Sequence, residues 1–180
     1  MPTDIVRRFY AALPPVRQWI DEYLERHSAE AKTVQSLGIA GLSTYYPEDL
    51  LARAKTVTVQ WVEFPPLHLF GIPEFGGLQQ MTFDGITFKD TYFVRRDHES
   101  PALHFHELVH VVQWGRLGVE NFLLAYGVGL LQNRYERTPL EHMAYRLQAN
   151  FERGLAIPHL IQSIEEESDA IWQRAVPFLQ

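Results

Sequence analysis

His106-Glu107-Leu108-Val109-His110 sets two imidazoles four residues apart, with a carboxylate directly after the first. A helix turns about 100° per residue, so residues i and i+4 share a face and both rings can reach one metal ion. Glu107 then sits beside the ion without binding it, where it can take a proton from a water on the metal. The chemistry this pattern offers is metal-assisted hydrolysis. Cysteine is absent, so a transition metal here must be held by His, Asp or Glu.

A catalytic zinc takes three protein ligands and keeps one position open. A Gly three residues and a His six residues after His110 would complete one known pattern, but Gln113 and Arg116 stand there. A Glu on a later helix remains, and Glu141 is the choice. In the helix predicted over Thr138 to Arg153, Leu140, Ala144, Leu147 and Phe151 make a packing stripe. Glu141, Tyr145, Gln148 and Glu152 fall on a neighbouring face that can look into a cleft. Glu141 also fits a capping box opened by Thr138, so cap competes with ligand, and His142 and Glu136 are rival ligands. Glu120, Glu152 and the Glu165-Glu166-Glu167 run read as solvated helix faces. An oxyanion donor could be Tyr126, Tyr135, Tyr145 or His142, with Tyr145 preferred because it lies one turn after Glu141. His104 falls off the metal face and reads as structural. His27, His68, His98 and His159 stand alone.

The motif needs a helix to hold it. Phe105, Leu108, Val109 and Val112 recur at helical spacing, Ser100-Pro101 opens a helix, and Gly115 and Gly118 are stops. The expected helix runs from Pro101 to Trp114, with His106, Glu107, His110, Gln113 and Trp114 on the face left free by the core stripe. Upstream, Val16, Trp19, Ile20, Tyr23 and Leu24 predict a helix from Pro15 to His27, and Pro47 opens a short one through Ala54. Thr56 to Phe64 alternates as a strand, and Leu67 to Phe70 is a weaker extended piece. Met81 to Phe83 and Ile86 to Phe88 read as strands across an Asp84-Gly85 turn, with Tyr92 to Val94 as another. Downstream come a buried helix over Phe122 to Gln132, brought close to a neighbour by Gly127 and Gly129, and a last helix from Leu160 to Val176. Sheet first and helices after is an α+β order in a single domain, 1–180. Residues 1–55 are its mostly helical N-terminal part, 56–95 its sheet, and 100–176 the helical part with the metal site.

Composition narrows the function classes. The net charge is −6 and Lys and Arg are scattered, which argues against nucleic acid as a partner. Phe9 to Leu13 is broken at once by Pro14-Pro15, too short for a signal-peptide core, and no run approaches the roughly 18 apolar residues of a membrane span. A soluble cytoplasmic protein is expected.

These residues also carry a likeness. Leu103 to Trp114, with Leu117-Gly118, Phe122, Tyr126, Pro139-Leu140-Glu141 and Ala144-Tyr145, resembles the gluzincin branch of zincin-fold zinc metallopeptidases, especially its small bacterial HExxH proteins. The resemblance spans roughly residues 82 to 153 and leaves the first 55 untouched. It implies zinc on His106, His110 and Glu141, with Glu107 as base. It also implies a zincin-like fold, in which a small twisted, mainly antiparallel sheet precedes the active-site helix and C-terminal helices. The edge strand of such a sheet pairs with an extended peptide or protein substrate, and Ile86 to Val94 is the candidate. One departure concerns orientation. Thermolysin-like members carry Asn before the ligand Glu and Asp four after it, where this chain has Leu140 and Tyr145, so no carboxylate is assigned to orient His106 or His110. The expected function is a zinc peptidase. The alternative is a zincin-like binding or regulatory module without turnover, using the aromatic-rich approach that includes Trp61, Phe64, Phe70, Phe75, Phe83, Phe88, Tyr92 and Phe93. Hydrolysis of a non-peptide substrate is a third option.

Overall fold

In the computed structural model, which describes residues 3–133 and 135–180, the chain opens with helix α1 (Thr3–Arg26). Ile5, Phe9, Ala12, Val16, Ile20 and Tyr23 recur every three or four residues and are all buried, so one apolar stripe runs along the helix. The predicted start at Pro15 is therefore corrected, because Pro14 and Pro15 lie inside the helix. Proline removes an amide and displaces the carbonyl four residues back. The carbonyls affected belong to Tyr10 and Ala11, both exposed, where water can replace the lost bonds.

A short strand β1 (Lys32–Thr33) and three short helices, α2 (Val34–Leu37), α3 (Leu42–Tyr45) and α4 (Glu48–Arg53), lead to β2 (Lys55–Val59). Strands β3 (Gly85–Phe88) and β4 (Thr91–Arg95) complete a sheet of order β1-β2-β4-β3. The outer pairings are antiparallel, but β2 and β4 run parallel. The sheet is thus mixed: the parallel pair needs a long connection, which residues 60–90 supply, with β3 inside it. Ahead of β3, β2 stops at Val59, residues 67–70 form turns, and Pro73–Gln80 makes a 3-10 helix, so the extended pieces expected there are absent. The hairpin turn also shifts. Ile86 pairs with Phe93 and Phe88 with Thr91, so Lys89-Asp90 makes the turn, with Lys89 at φ 60°. Asp84-Gly85, a strong local turn signal, leads into the strand instead. Of the hairpin β3–β4, β3 lies at a sheet edge and β4 is interior, with β1 at the opposite edge.

Alternation along the strands builds the layers. Phe88 and Phe93 face α1, with ring centroids 5.7 Å from Trp19 and 4.5 Å from Tyr23 respectively. Thr87 and Tyr92, a cross-strand pair, face the other way and meet α5 (Pro101–Gln132). Helices α6 (Pro139–Glu152) and α7 (Leu160–Ala175) pack on α5 in turn. The result is α+β, with the sheet between α1 and α5.

Ser100 Oγ caps α5 by accepting from the Leu103 amide, and Pro101 fills its first turn. The helix does not end at Trp114. It passes through Gly115 and bends at Gly118 (φ 71°, ψ 170°), a conformation only glycine takes without strain. Across the bend Trp114 stacks on Phe122 at 4.0 Å. The close approach expected at Gly127 and Gly129 is present: a Cβ at 127 would lie 3.1 Å from the Phe9 ring, and one at 129 would lie 3.1 Å from Pro139 Cδ. The second half of α5 is thereby held against α1 and the start of α6. None of the described helices is long and apolar enough to cross a membrane.

Candidate metal centre

Two polar ties set the rotation of α5. Tyr92 Oη and His104 Nδ1 are 2.8 Å apart, and Thr87 Oγ1 donates to Glu107 Oε2 at 2.7 Å. Residues 104 and 107 lie on one helix face three apart, so this tie to the sheet turns 106, 110 and 113 towards α6. No face of the motif is left free. His106, Glu107 and His110 are 5%, 2% and 5% exposed, because β3 covers one side and α6 the other. Trp114, expected on the metal face, donates its Nε1 hydrogen to Thr87 O and packs in the core.

Glu141, at the start of α6, completes a triangle. His106 Nε2 lies 3.1 Å from His110 Nε2 and 3.3 Å from Glu141 Oε2, and His110 Nε2 lies 3.4 Å from Glu141 Oε1. A tetrahedral ion with bonds of about 2.0–2.1 Å spaces its ligand atoms by about 3.3 Å. The three residues, all buried, could hold a metal ion. The capping alternative fails on geometry: Thr138 makes no side-chain cap bond and its Oγ1 has no partner, while Glu141 turns to the histidines.

The far nitrogens of the rings explain why Nε2 faces inward. Gln113, fully buried, donates from Nε2 to Leu140 O at 3.1 Å and to Met143 Sδ at 3.4 Å. Both partners only accept, so the amide cannot turn round. Its Oε1 must accept from His110 Nδ1, 2.7 Å away. Gln148 does the same for His106, with Oε1 3.0 Å from Nδ1 and its Nε2 donating to Glu152. Each ring thus spends its proton on a glutamine and turns a lone pair inward. Two lone pairs 3.1 Å apart beside a carboxylate repel unless a proton or a metal ion sits among them. Glu141 Oε2 is itself buried without a hydrogen-bond partner. The donor set therefore fits a metal ion, and the orienting groups are neutral amides rather than carboxylates.

Glu141 Oε1 is held by Tyr126 and Tyr135, whose hydroxyls donate to it at 2.6 and 3.1 Å. Burial, then the Glu141 charge, pushes both phenols far up, so they remain donors. Burial raises Glu141, but the two histidines outweigh it and hold the carboxyl well below its usual range. Burial likewise lowers His110, yet the charge and hydrogen bond of Glu141 win and push it up to about 9.

Glu107 stands next to this group without belonging to it. Its carboxylate rests against Gly85, where a Cβ would overlap it. Thr87 is its hydrogen-bond donor, and burial raises its pKa against the pull of His106 and His110. Thr87 and Gly85 were not legible in the sequence, where residue 85 reads as a turn. Tyr145 is 43% exposed with its ring centroid 4.6 Å from that of His106. The rival ligands His142 and Glu136 are exposed. His104 is structural, bonded to Tyr92 and Glu99. His68 and His159 are exposed, His98 pairs with Asp84, and His27 packs on Tyr23 and Phe93. Of the aromatic approach, Phe75, Phe83, Phe88, Tyr92 and Phe93 are core, and Trp61 is the exposed ring, at 66%.

Beside the donor set lies a cavity of about 100 Å³, bounded by Glu107, His110, Glu141, strand β3, the second half of α5 and, opposite, α1. No protein-family model, no curated protein and no solved structure matches the chain.

Proposed function

We propose that this protein is a zinc-dependent hydrolase of zincin-like fold that cleaves peptide bonds, with His106, His110 and Glu141 as ligands and Glu107 as general base. One observation carries the reading: two buried imidazole nitrogens and a buried carboxylate converge within ligand reach of one another, next to a second carboxylate that does not join them. Zinc held by two imidazoles and a carboxylate supplies Lewis acidity that activates water and polarises a carbonyl. A purely structural ion needs no neighbouring base. Glu107 takes the proton of the attacking water and returns it to the leaving amine. Burial raises its pKa, the direction that favours a carboxylate exchanging protons. Thr87 holds the carboxylate in place. Tyr126 and Tyr135 are committed to Glu141, which leaves Tyr145 to stabilise the developing oxyanion. Burial pushes its phenol up to about 12, so it stays a donor.

The edge position of β3 supports a peptide substrate. An extended chain added to this edge runs past Gly85, against which Glu107 rests. The test pairs metal content by mass spectrometry with cleavage of an unstructured protein, for wild type and Glu107→Gln. Both should carry stoichiometric zinc, and the variant should cleave about 100- to 10,000-fold more slowly. Equal cleavage by the two, or no zinc in either, overturns the reading. Glu141→Ala should lose zinc and Thr138→Ala keep it.

A further inference from the structure

We infer that the cavity beside the metal centre receives a short aliphatic group of the substrate, on the order of four carbons, next to the bond that is cut. This deepens the hydrolase reading and rests on it.

The first ground is chemical asymmetry. The titratable and hydroxyl groups that line the cavity are Thr87, Glu107, His110, Tyr126, Tyr135 and Glu141; His110, Tyr126 and Tyr135 are tied to Glu141, and Thr87 to Glu107 beside them. Trp114 also lines it, but its Nε1 hydrogen is spent on Thr87 O. The remaining wall is hydrocarbon, from Phe9, Ala12, Leu13 and Val16 of α1 to Phe75 and Leu130. A polar or charged side chain entering there leaves water and finds no partner. A group with a reactive polar end and an apolar body fits both parts.

Size is the second ground. The cavity holds about 100 Å³, less than the roughly 150 Å³ that accommodates a benzene ring. A short branched or straight aliphatic chain is favoured there over the wider phenyl and indole rings.

The third ground is the origin of the wall. Its outer side is α1, a segment to which the zincin likeness does not extend. Phe9 packs so close on Gly127 that a Cβ there would lie 3.1 Å from its ring, which fixes α1 against the second half of α5. The limit on size is therefore a property of this chain's own N-terminal helix.

Straight-chain hydroxamates test this on the zinc-loaded full chain, because the head group chelates the ion while the tail probes the cavity. Binding is measured by calorimetry from acetohydroxamate to octanohydroxamate, with benzohydroxamate alongside. Affinity should rise about fourfold per methylene, the factor for burying one CH₂. The rise should stop near pentanohydroxamate, and benzohydroxamate should bind more weakly than pentanohydroxamate. Ala12→Leu should move the break to a shorter tail and Leu13→Ala to a longer one, both leaving acetohydroxamate affinity and zinc content unchanged. A flat wild-type series, or benzohydroxamate binding best, overturns the inference even if neither variant folds. A break unmoved in folded variants also overturns it. Failure of acetohydroxamate to bind, or of zinc to load, overturns the hydrolase reading itself.

Discussion

Gln113 turns a sequence motif into a site. It ties His110 on α5 to the Leu140 carbonyl on α6, so the ring's proton and the helix carrying Glu141 are fixed by one amide. Gln113→Leu leaves the His110 Nδ1 hydrogen without an acceptor and should weaken zinc binding about 10- to 100-fold, read by competition with a chromophoric chelator. Gln148→Leu should cost less, because Gln148 is half-buried and water can take its place. Gly85→Ala tests the base from the other side. The added methyl displaces the Glu107 carboxylate, so turnover should fall at least about tenfold while zinc content stays stoichiometric; unchanged turnover would show that the observed carboxylate position is not the working one. At this scale the sequence is legible where function sits on one helix. Spacing nominates His106, Glu107 and His110, and phase along α6 puts Glu141 forward against His142, Glu136 and a capping role; the structure brings His106, His110 and Glu141 together. Gln113, Tyr126 and Tyr135 are visible as residues but not in their roles, because each role is a bond between elements distant in sequence. Thr87 has no signal at all, since a strand threonine looks the same whether its hydroxyl meets water or Glu107.

The bend at Gly118 is the element on which the centre depends. It folds the second half of α5 back so that Tyr126 reaches Glu141 and Gly129 meets Pro139. Gly118→Ala forces an L side chain to φ 71°, which costs about 1–2 kcal/mol. A domain of this size should then melt about 2–8 °C lower. If the strained variant relaxes by straightening, Tyr126 leaves Glu141 and zinc affinity falls with the melting temperature; a lower melting temperature with unchanged affinity would mean the bend is merely tolerated. Elements with a strong apolar period, α6 and α7, are readable from sequence to within a residue or two. Elements decided by packing are not. The stripe from Ile5 to Tyr23 carries α1 through two prolines, because the lost backbone bonds face solvent. The register that buries Phe88 and Phe93 against α1 overrides the Asp84-Gly85 turn signal. The parallel pairing of β2 with β4 has no local signature, since it depends on where the connection over residues 60–90 brings the chain back.

For the molecule as a whole, metal binding and protonation compete for the same lone pairs. With His110 pushed up to about 9 by Glu141 against about 6.5 in the unfolded chain, their ion pair stabilises the metal-free fold fully below about pH 6.5. That contribution fades as the pH rises through about 9. Glu141, held well below the usual carboxylate range, keeps its half of the pair throughout this window. Zinc requires the neutral imidazole, so uptake at pH 7 releases the His110 proton, and apparent affinity should rise about tenfold per pH unit until about pH 9. Both effects are the same proton: raising the pH weakens the metal-free protein at this site and tightens zinc binding by the same amount, so the zinc-bound protein changes little in this window while its margin over the metal-free one grows. At a free zinc concentration of about 100 times the dissociation constant, binding adds about 2.7 kcal/mol, or about 5–11 °C in melting temperature. Calorimetric scans of chelator-treated and zinc-loaded protein, with free zinc buffered, should therefore show a gap that widens from pH 6.5 to 8.5. Glu141→Gln removes the charge that retains the proton and should abolish that trend along with most of the gap. A gap that keeps one size across the range in the wild type would mean that the ion is held by groups other than His110 and Glu141.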